Sequence, residues 1–552
     1  MSVEIRTNPS EVNAPLTDTP VLHEELSASD GASLVGYVSN ETGASIRTVQ
    51  DKLREVLSVR DFGAVGDNNH DDTAAFQAAL AIASGKSLYI PAGTYKITSP
   101  LVIPPVTFIH GSGNKDTYLF FTLPTGSTAT LLTVNSNSAS GLQYGFSLTD
   151  LSVIDQTESP GTTGIVVNNL VDGMIKNINM TGMHIGISFL NGQNRIENLE
   201  ISTLGGDLSS SVGIMADGIG CGVGIYDSIV QSSVAIGSQI GIGYLFKGGA
   251  APTMHSANTY GCTIGCQLTA TGTTMYWPEL VSCQFDTASD TGLLINTGSG
   301  GSIYGLSCQN LWCGSMGAYG VHITPGSGTI SGLQFNGGRI FNNSNAGIFI
   351  EGGNNISICD MQISGNGSGA SPGIAVFGEI NGLLVSGNKI GQLAQFSNSQ
   401  NYGIQFSDIS VSNIVITGND LSGNIADGIY NGSSTPTAIL TSGNIGYSTN
   451  SPVAPTLLNS WVNNGGSTAA ASYYKSGDNS VHVSGLIKSG IITEAAFTLP
   501  IGYRPALDQY FACVSNGQIG YAFIQASTGN VIPQSGSNAY FSLCGITFKA
   551  ER

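Results

Sequence analysis

Charge is scarce in this sequence. Only 10% of its 552 residues are Asp, Glu, Lys or Arg, and the cations are the rarer kind. There are 18 Lys and Arg against 36 Asp and Glu, a formal net charge of −18. Nucleic-acid binding needs a basic footprint, so this balance points away from a phosphate-backbone partner. An acidic surface also disfavours anionic membranes. No run of 18 apolar residues occurs, so no membrane-spanning helix is expected. The opening MSVEIRTNPSEV has no apolar leader core, so synthesis in a cytosol is expected, with release by another route. The nine cysteines form no CxxC pair and are odd in number. A zinc site wants close Cys or His pairs, so free, buried thiols are expected, with no metal and no cofactor. Walker, HExxH and EF-hand patterns are absent. GIGCGVG at 218–224 lacks both the dinucleotide spacing and a following helix. GASPG at 369–373 fits GxSxG but lies between strands, where a nucleophile elbow has no helix to enter.

Glycine is abundant instead, at 75 residues. Such composition suits disorder, but 41% hydrophobic content with 20 Tyr and 20 Phe argues for many short strands and tight turns. The length is enough for two or three domains. From Gly164 a repeat sets in: a glycine followed by a short apolar or alternating run. It recurs at Gly186, Gly213, Gly243, Gly265, Gly292, Gly320, Gly347, Gly373, Gly403 and Gly428, at intervals of 22 to 30 residues. A period in that range signals a solenoid. Each repeat carries a second short strand, such as NISICDMQI, and no helix, which leaves a parallel β-helix with one coil per repeat. Gly387-Asn388, Gly418-Asn419 and Gly443-Asn444 mark corners that need left-handed backbone.

Residues 57–100 read differently: a strand end, a Gly-rich turn, one short amphipathic helix and a first strand pair. Asp71, Asp72 and Thr73 precede the helical residues, where carboxylates suit the helix dipole. Phe76, Ala79, Leu80 and Ala83 share one face, and Gly85 is the stop. A second helix is expected over Arg47–Leu57. After Ser451–Ser460, which read as a Pro-bearing linker, the period is lost. Short alternating strands with Gly and Pro turns then suggest a β-sandwich.

The stretch Asp61-Phe62-Gly63-Ala64, Gly66-Asp67, Asp71-Asp72-Thr73 and Ile90-Pro91-Ala92-Gly93-Thr94-Tyr95 resembles the opening of pectate-lyase-like β-helix proteins, phage tailspike depolymerases in particular. SDGASLVGY and RTVQDKLRE resemble tailspike N-terminal anchors. LPIGYRP with a terminal SLCGITF resembles the C-terminal domains of phage tail proteins. The resemblance implies an all-β chain: a right-handed parallel β-helix with an N-terminal capping helix and a C-terminal β-sandwich. It divides as residues 1–57, a virion-anchoring region, 58–452, the β-helix body, and 453–552, a sandwich that trimerises the spike or binds carbohydrate. It further implies a homotrimer on the virion, docked through its N-terminus to a phage tail or adaptor protein. The spike then acts outside the cell on a bacterial surface polysaccharide, capsule or O-antigen.

Glycoside hydrolysis needs two carboxylates, about 5–5.5 Å apart for retention or 6.5–9.5 Å for inversion. Within TMYWPELVSCQFDTASDTG the candidates are Glu279, Asp286 and Asp290, with Asp227 earlier; Glu279 and Asp286 are the first choice for acid and base. Trp277, Tyr276, Tyr304 and Tyr260 offer faces on which a sugar ring stacks. Counted back from the anchor glycines, Asp227, Trp277 and Tyr304 form one column, and Tyr260 and Asp286 another; His255 and Glu279 face each other. Arg339 and Arg195 are isolated cations that either grip a substrate carboxylate or close ion pairs. Asp360, Glu351 and Glu379 are the next acids, and His322 is a further central histidine. Endo-glycosidic hydrolysis is the leading expectation. Elimination from a uronic acid, which needs a basic or phenolic base and charge stabilisation, is the alternative. A non-catalytic receptor-binding spike is the second.

Overall fold

A computed structural model describes residues 24–135, 143–202, 208–218, 220–232, 240–367, 371–392, 400–407, 409–434, 439–447, 452–476 and 479–550. Pro9, Pro15, Pro20 and the start of GASPG lie outside the described residues. The body is a parallel β-helix, and the chain divides into two compact units, 1–187 with 192–200, and 188–191 with 201–552.

In the first unit, the helix Thr73–Ala81 buries Ala75, Phe76, Ala79 and Leu80, and Phe76 meets Tyr95 edge-on at 5.3 Å. Asp72, at its N-cap, does not cap it with a side-chain bond. Its carboxylate instead accepts the backbone N–H groups of Val65 and Gly66, at 2.7 and 3.1 Å, and so fixes the preceding turn. The other expected helix is much shorter, Val49–Leu53, closed by a capping box between Thr48 and Asp51. Leu57 belongs to the strand Val56–Ser58, because it is the register partner of Leu88. Leu88, Ile109, Leu148 and Ile175 continue inward as one ladder over successive coils, none more than 3% exposed. Parallel strands about 4.8 Å apart bring such residues into direct contact.

The second unit repeats the pattern with several strands per coil. One stack begins at each anchor glycine. Its neighbours include the stack Ser302–Tyr304 and its partners, then the stack Glu279–Val281, then the stack Gln284–Asp286. The inward ladder Met254–Leu280–Cys308–Phe335–Ile358–Val385–Ile416 is at most 1% exposed throughout. The anchor glycines owe their recurrence to space. A Cβ on Gly265 would lie 2.6 Å from the carbonyl oxygen of Gly292, one on Gly292 2.7 Å from that of Gly320, and one on Gly320 2.7 Å from that of Gly347.

The last two stacks meet at a corner that carries a left-handed residue at one fixed position: Ser256, Ser282, Asn310, Gly337, Asp360 or Gly387 in successive coils. That corner always falls three residues after the first position of one stack and two before the next, as in Glu279, Ser282 and Gln284. Amides, buried except at the last member of each series, brace the turns. Asn388 donates to Asn419 and Asn419 to Asn444, each at 2.9 Å. A second series runs Asn343, Asn366, Gln400, Asn424, at 2.7, 3.0 and 3.0 Å.

Beyond the coils, a seven-stranded and a three-stranded antiparallel sheet bury one core that includes Trp461, Val483, Phe497 and Phe541. The Pro-bearing segment before them is tied down: Val453 pairs with Tyr473, and Leu458 N–H donates to Ala496 O at 2.8 Å.

Candidate functional site

In a pleated strand alternate residues face outward, so residues on one outward face share a parity and follow the register. Tyr276 and Tyr304 are register partners on adjacent coils, with rings 5.9 Å apart and 25° from parallel. Trp277 follows in left-handed backbone, 75% exposed, its ring 5.5 Å from that of Tyr276. The indole lies over Gly305, where a Cβ would come within 2.4 Å of it. Glu279 is half-buried, two residues on, in register with Thr253 and Ser307. One half-buried carboxylate therefore follows directly on three clustered rings.

The column Asp227–Trp277–Tyr304 does not form. Asp227 is a corner residue whose N–H donates to His255 O at 3.0 Å, while Trp277 N–H donates to Tyr304 O at 2.8 Å from a different turn. Counting back from the glycine misplaces them because the intervening loops differ in length. His255 is in register with Val281, not Glu279, and its ring stacks on Tyr226 at 5.2 Å and 16°. Tyr260 and Asp286 are register partners; Tyr260 is 49% exposed and Asp286 accepts the Thr287 hydroxyl at 2.9 Å. Glu279 and Asp286 occupy one coil but lie on either side of the Ser282 corner, so a single chain does not set them face to face. Asp290 is exposed and accepts the Thr291 hydroxyl at 3.3 Å. Arg339 makes no ion pair among the described residues; its guanidinium lies 6.0 Å from the Trp312 ring centroid. Arg195 is paired with Glu197 at 2.5 Å. Asp360 is a corner residue.

Residues 56–277 match the family described as rhamnogalacturonase A/epimerase, pectate lyase-like. The tail spike protein of an Escherichia phage is 46% identical over 69 residues, which is 12% of this chain and 8% of that one. A capsule-specific depolymerase of Klebsiella phage K5-2 is 36% identical over 94 residues, 17% of this chain and 12% of that one. The matches thus span about a tenth of those relatives' own lengths. Among solved structures, a mutant tailspike of E. coli bacteriophage HK620 in complex with a hexasaccharide superposes with TM-score 0.57 at 12% identity. It covers 95% of this chain and 99% of that one. At that identity the superposition shows a shared fold, the parallel β-helix.

The β-helix body holds two further features, in which the sequence reading had named only His322, Glu351 and Glu379. Tyr319, His322, Phe349 and Phe377 form an outward aromatic cluster: Tyr319 and Phe349 stack at 4.7 Å and 10°, and Phe377 lies 5.5 Å from Phe349. His322 Nε2 is 3.4 Å from Glu351 Oε2. Burial pushes the Tyr319 hydroxyl above its ordinary pKa, and the negative charges of Glu351 and Asp290 add to this. The signal available was the spacing of Tyr319, Phe349 and Phe377, close to one coil each. The second feature is a cavity of about 300 Å³ whose wall includes Thr329, Asn354, Glu379 and Ser412. It lies across several coils, which no single stretch of sequence displays. Among the described residues no group of three or more His, Cys, Asp and Glu gathers as a metal site. Seven of the nine thiols are buried, and burial alone pushes Cys262 up to about 12.

Proposed function

We propose that this chain is a tailspike that binds a bacterial surface polysaccharide and cleaves it by endo-glycosidic hydrolysis. The observation that carries this reading is the cluster of exposed Trp277 and Tyr276 with half-buried Tyr304, next to half-buried Glu279. Aromatic faces take sugar rings, and glycoside cleavage needs a carboxyl group within reach of the bound sugar. The chain acts as a homotrimer, with its N-terminal region docked on a phage tail or adaptor protein and residues 453–552 contributing to trimerisation or carbohydrate binding. Glu279 and Asp286 share a coil, hence a height along the axis, and present opposite sides of a corner. In this reading, parallel copies around a three-fold axis meet at that corner and set Glu279 of one copy opposite the partner's Asp286. That arrangement would pair these two carboxylates across the subunit boundary.

The test is a mass spectrum of soluble products after the full chain meets capsular and O-antigen polysaccharides. Repeat-unit oligosaccharides carrying one added water are expected. Glu279→Gln and Asp286→Asn should each abolish release, and trimers assembled from a mixture of the two variants should recover part of it. Binding without products from any strain would overturn cleavage. A second reading, elimination from a uronate, is favoured by the Tyr319–His322–Glu351 cluster, which offers a base and a phenol. It predicts unsaturated termini without added water.

A further inference from the structure

Tyr276, Tyr304, Ser331, Asn354, Asn381 and Ser412 are consecutive register partners over six coils. Five steps of about 4.8 Å make this line roughly 24 Å long, parallel to the coil axis. Its first end is the aromatic cluster. Its far end forms the wall of the cavity of about 300 Å³, where Thr329, Glu379 and Ser410 join Asn354, Asn381 and Ser412. Asn381 Oδ1 accepts from Ser412 Oγ at 2.9 Å and from Asn413 Nδ2 at 2.8 Å. Its oxygen is thereby occupied, and its amide nitrogen is the group left to donate. The cavity wall thus offers hydroxyls, amides and one carboxylate, and no Lys, Arg or His. An acidic sugar placed there would face the Glu379 carboxylate with no cation in the wall to offset the repulsion.

We propose that this cavity is a subsite for a neutral sugar, recognised through its hydroxyl or acetamido groups, and that the polymer seated on Trp277 and Tyr276 continues into it along the axis. The proposal rests on the polysaccharide reading above and adds the polymer's direction and the charge class of one unit. Saturation-transfer NMR on the full chain tests it, with the methyl glycosides of N-acetylglucosamine, galactose and glucuronic acid as probes. At least one neutral glycoside should receive saturation from the unmodified chain, and the glucuronide none. Asn354→Trp, which fills the cavity, should remove the neutral signal. Glu379→Lys, at an exposed position, should admit the glucuronide and tests the charge argument even if Asn354→Trp misfolds. Equal transfer to glucuronide and neutral glycosides, no transfer to any probe, or an unchanged signal in folded Asn354→Trp would each overturn the subsite. If polysaccharide cleavage proceeds while those results hold, only the subsite fails. If the subsite behaves as expected and no polysaccharide is cut, only the cleavage reading fails.

Discussion

Gly320→Ala isolates the force behind the repeat. The new Cβ would sit 2.4 Å from Ile340 Cγ2, 2.7 Å from Gly347 O and 2.9 Å from Asn343 Nδ2. Ile340 is fully buried, and Gly347 O is already the acceptor of Val321 N–H at 2.9 Å, so neither neighbour has a free direction in which to move. Overpacking of this kind costs about 1–3 kcal/mol, and a contact with fixed backbone belongs at the upper end. A chain of this size with two units calls for a rate rather than an equilibrium midpoint. The clash exists only while adjacent coils are in register, so it strains the folded state and is relieved once the coils part. Strain of about 3 kcal/mol that is relieved at the barrier raises the unfolding rate about 100-fold. The assay is the decay of far-UV circular dichroism in concentrated guanidinium at one temperature. Gly36→Ala is the control: nothing lies within 4 Å of its would-be Cβ, so a change below about 0.5 kcal/mol is expected. Equal rates for the two variants would refute the claim that spacing, not turn geometry, selects these glycines.

Asn419→Ala should cost about 3 kcal/mol or more, read by the same decay, because it strands several buried partners including Asn388 Nδ2 and Val385 O. Trp277→Ala should weaken polysaccharide binding about 3- to 10-fold, measured by surface plasmon resonance on immobilised polymer, and leave the unfolding rate unchanged. Burial pushes the Asp420 carboxyl up, but bonds from Lys389 and Ser422 outweigh it and hold the pKa at about 2 against an ordinary 3.8. The folded state therefore binds fewer protons than the unfolded one in this window; the pair's contribution is present above about pH 4 and lost as pH falls toward 2. Lys389→Met should unfold with a flatter dependence on pH between 5 and 2 than the parent. In the native chain at pH 8, Cys544 should react with a thiol reagent within minutes, while Cys262 and Cys283, each raised to about 12 by burial, stay unreacted until unfolding.

The architecture was legible because its physical demands repeat. Each coil needs one place without a Cβ, so Gly265, Gly292 and Gly320 stood out by period alone. Each corner needs left-handed backbone, so Gly387-Asn388 and Gly418-Asn419 declared themselves as well. The candidate site was legible only as composition. Trp277, Tyr276, Tyr304 and Glu279 do gather, since they are near in sequence or one coil apart. What failed was angular position. Asp227 and Trp277 lie at almost equal distances from their anchors, yet one turns the corner before Asn258's stack and the other precedes Glu279's. Arg339 resembled a free grip for a carboxylate, but Trp312, its partner one coil away, is 27 residues distant in sequence. Leu57 reads as helical in its own neighbourhood and is a strand residue because Leu88 requires it.

The corner of fixed length divides the surface into parts with different freedom to change. From Glu279 to Gln284, as from Ser307 to Trp312 and from Gln334 to Arg339, the chain keeps a fixed count, because any inserted residue would rotate every later side chain off its ladder. The anchor intervals nevertheless vary between 22 and 30 residues, so length variation falls on the other edges of the coil. Insertion and deletion are thereby confined to loops that border the outward faces. A lineage can remodel what it touches at those margins, one coil at a time, while the scaffold that carries the rings and acids keeps its register.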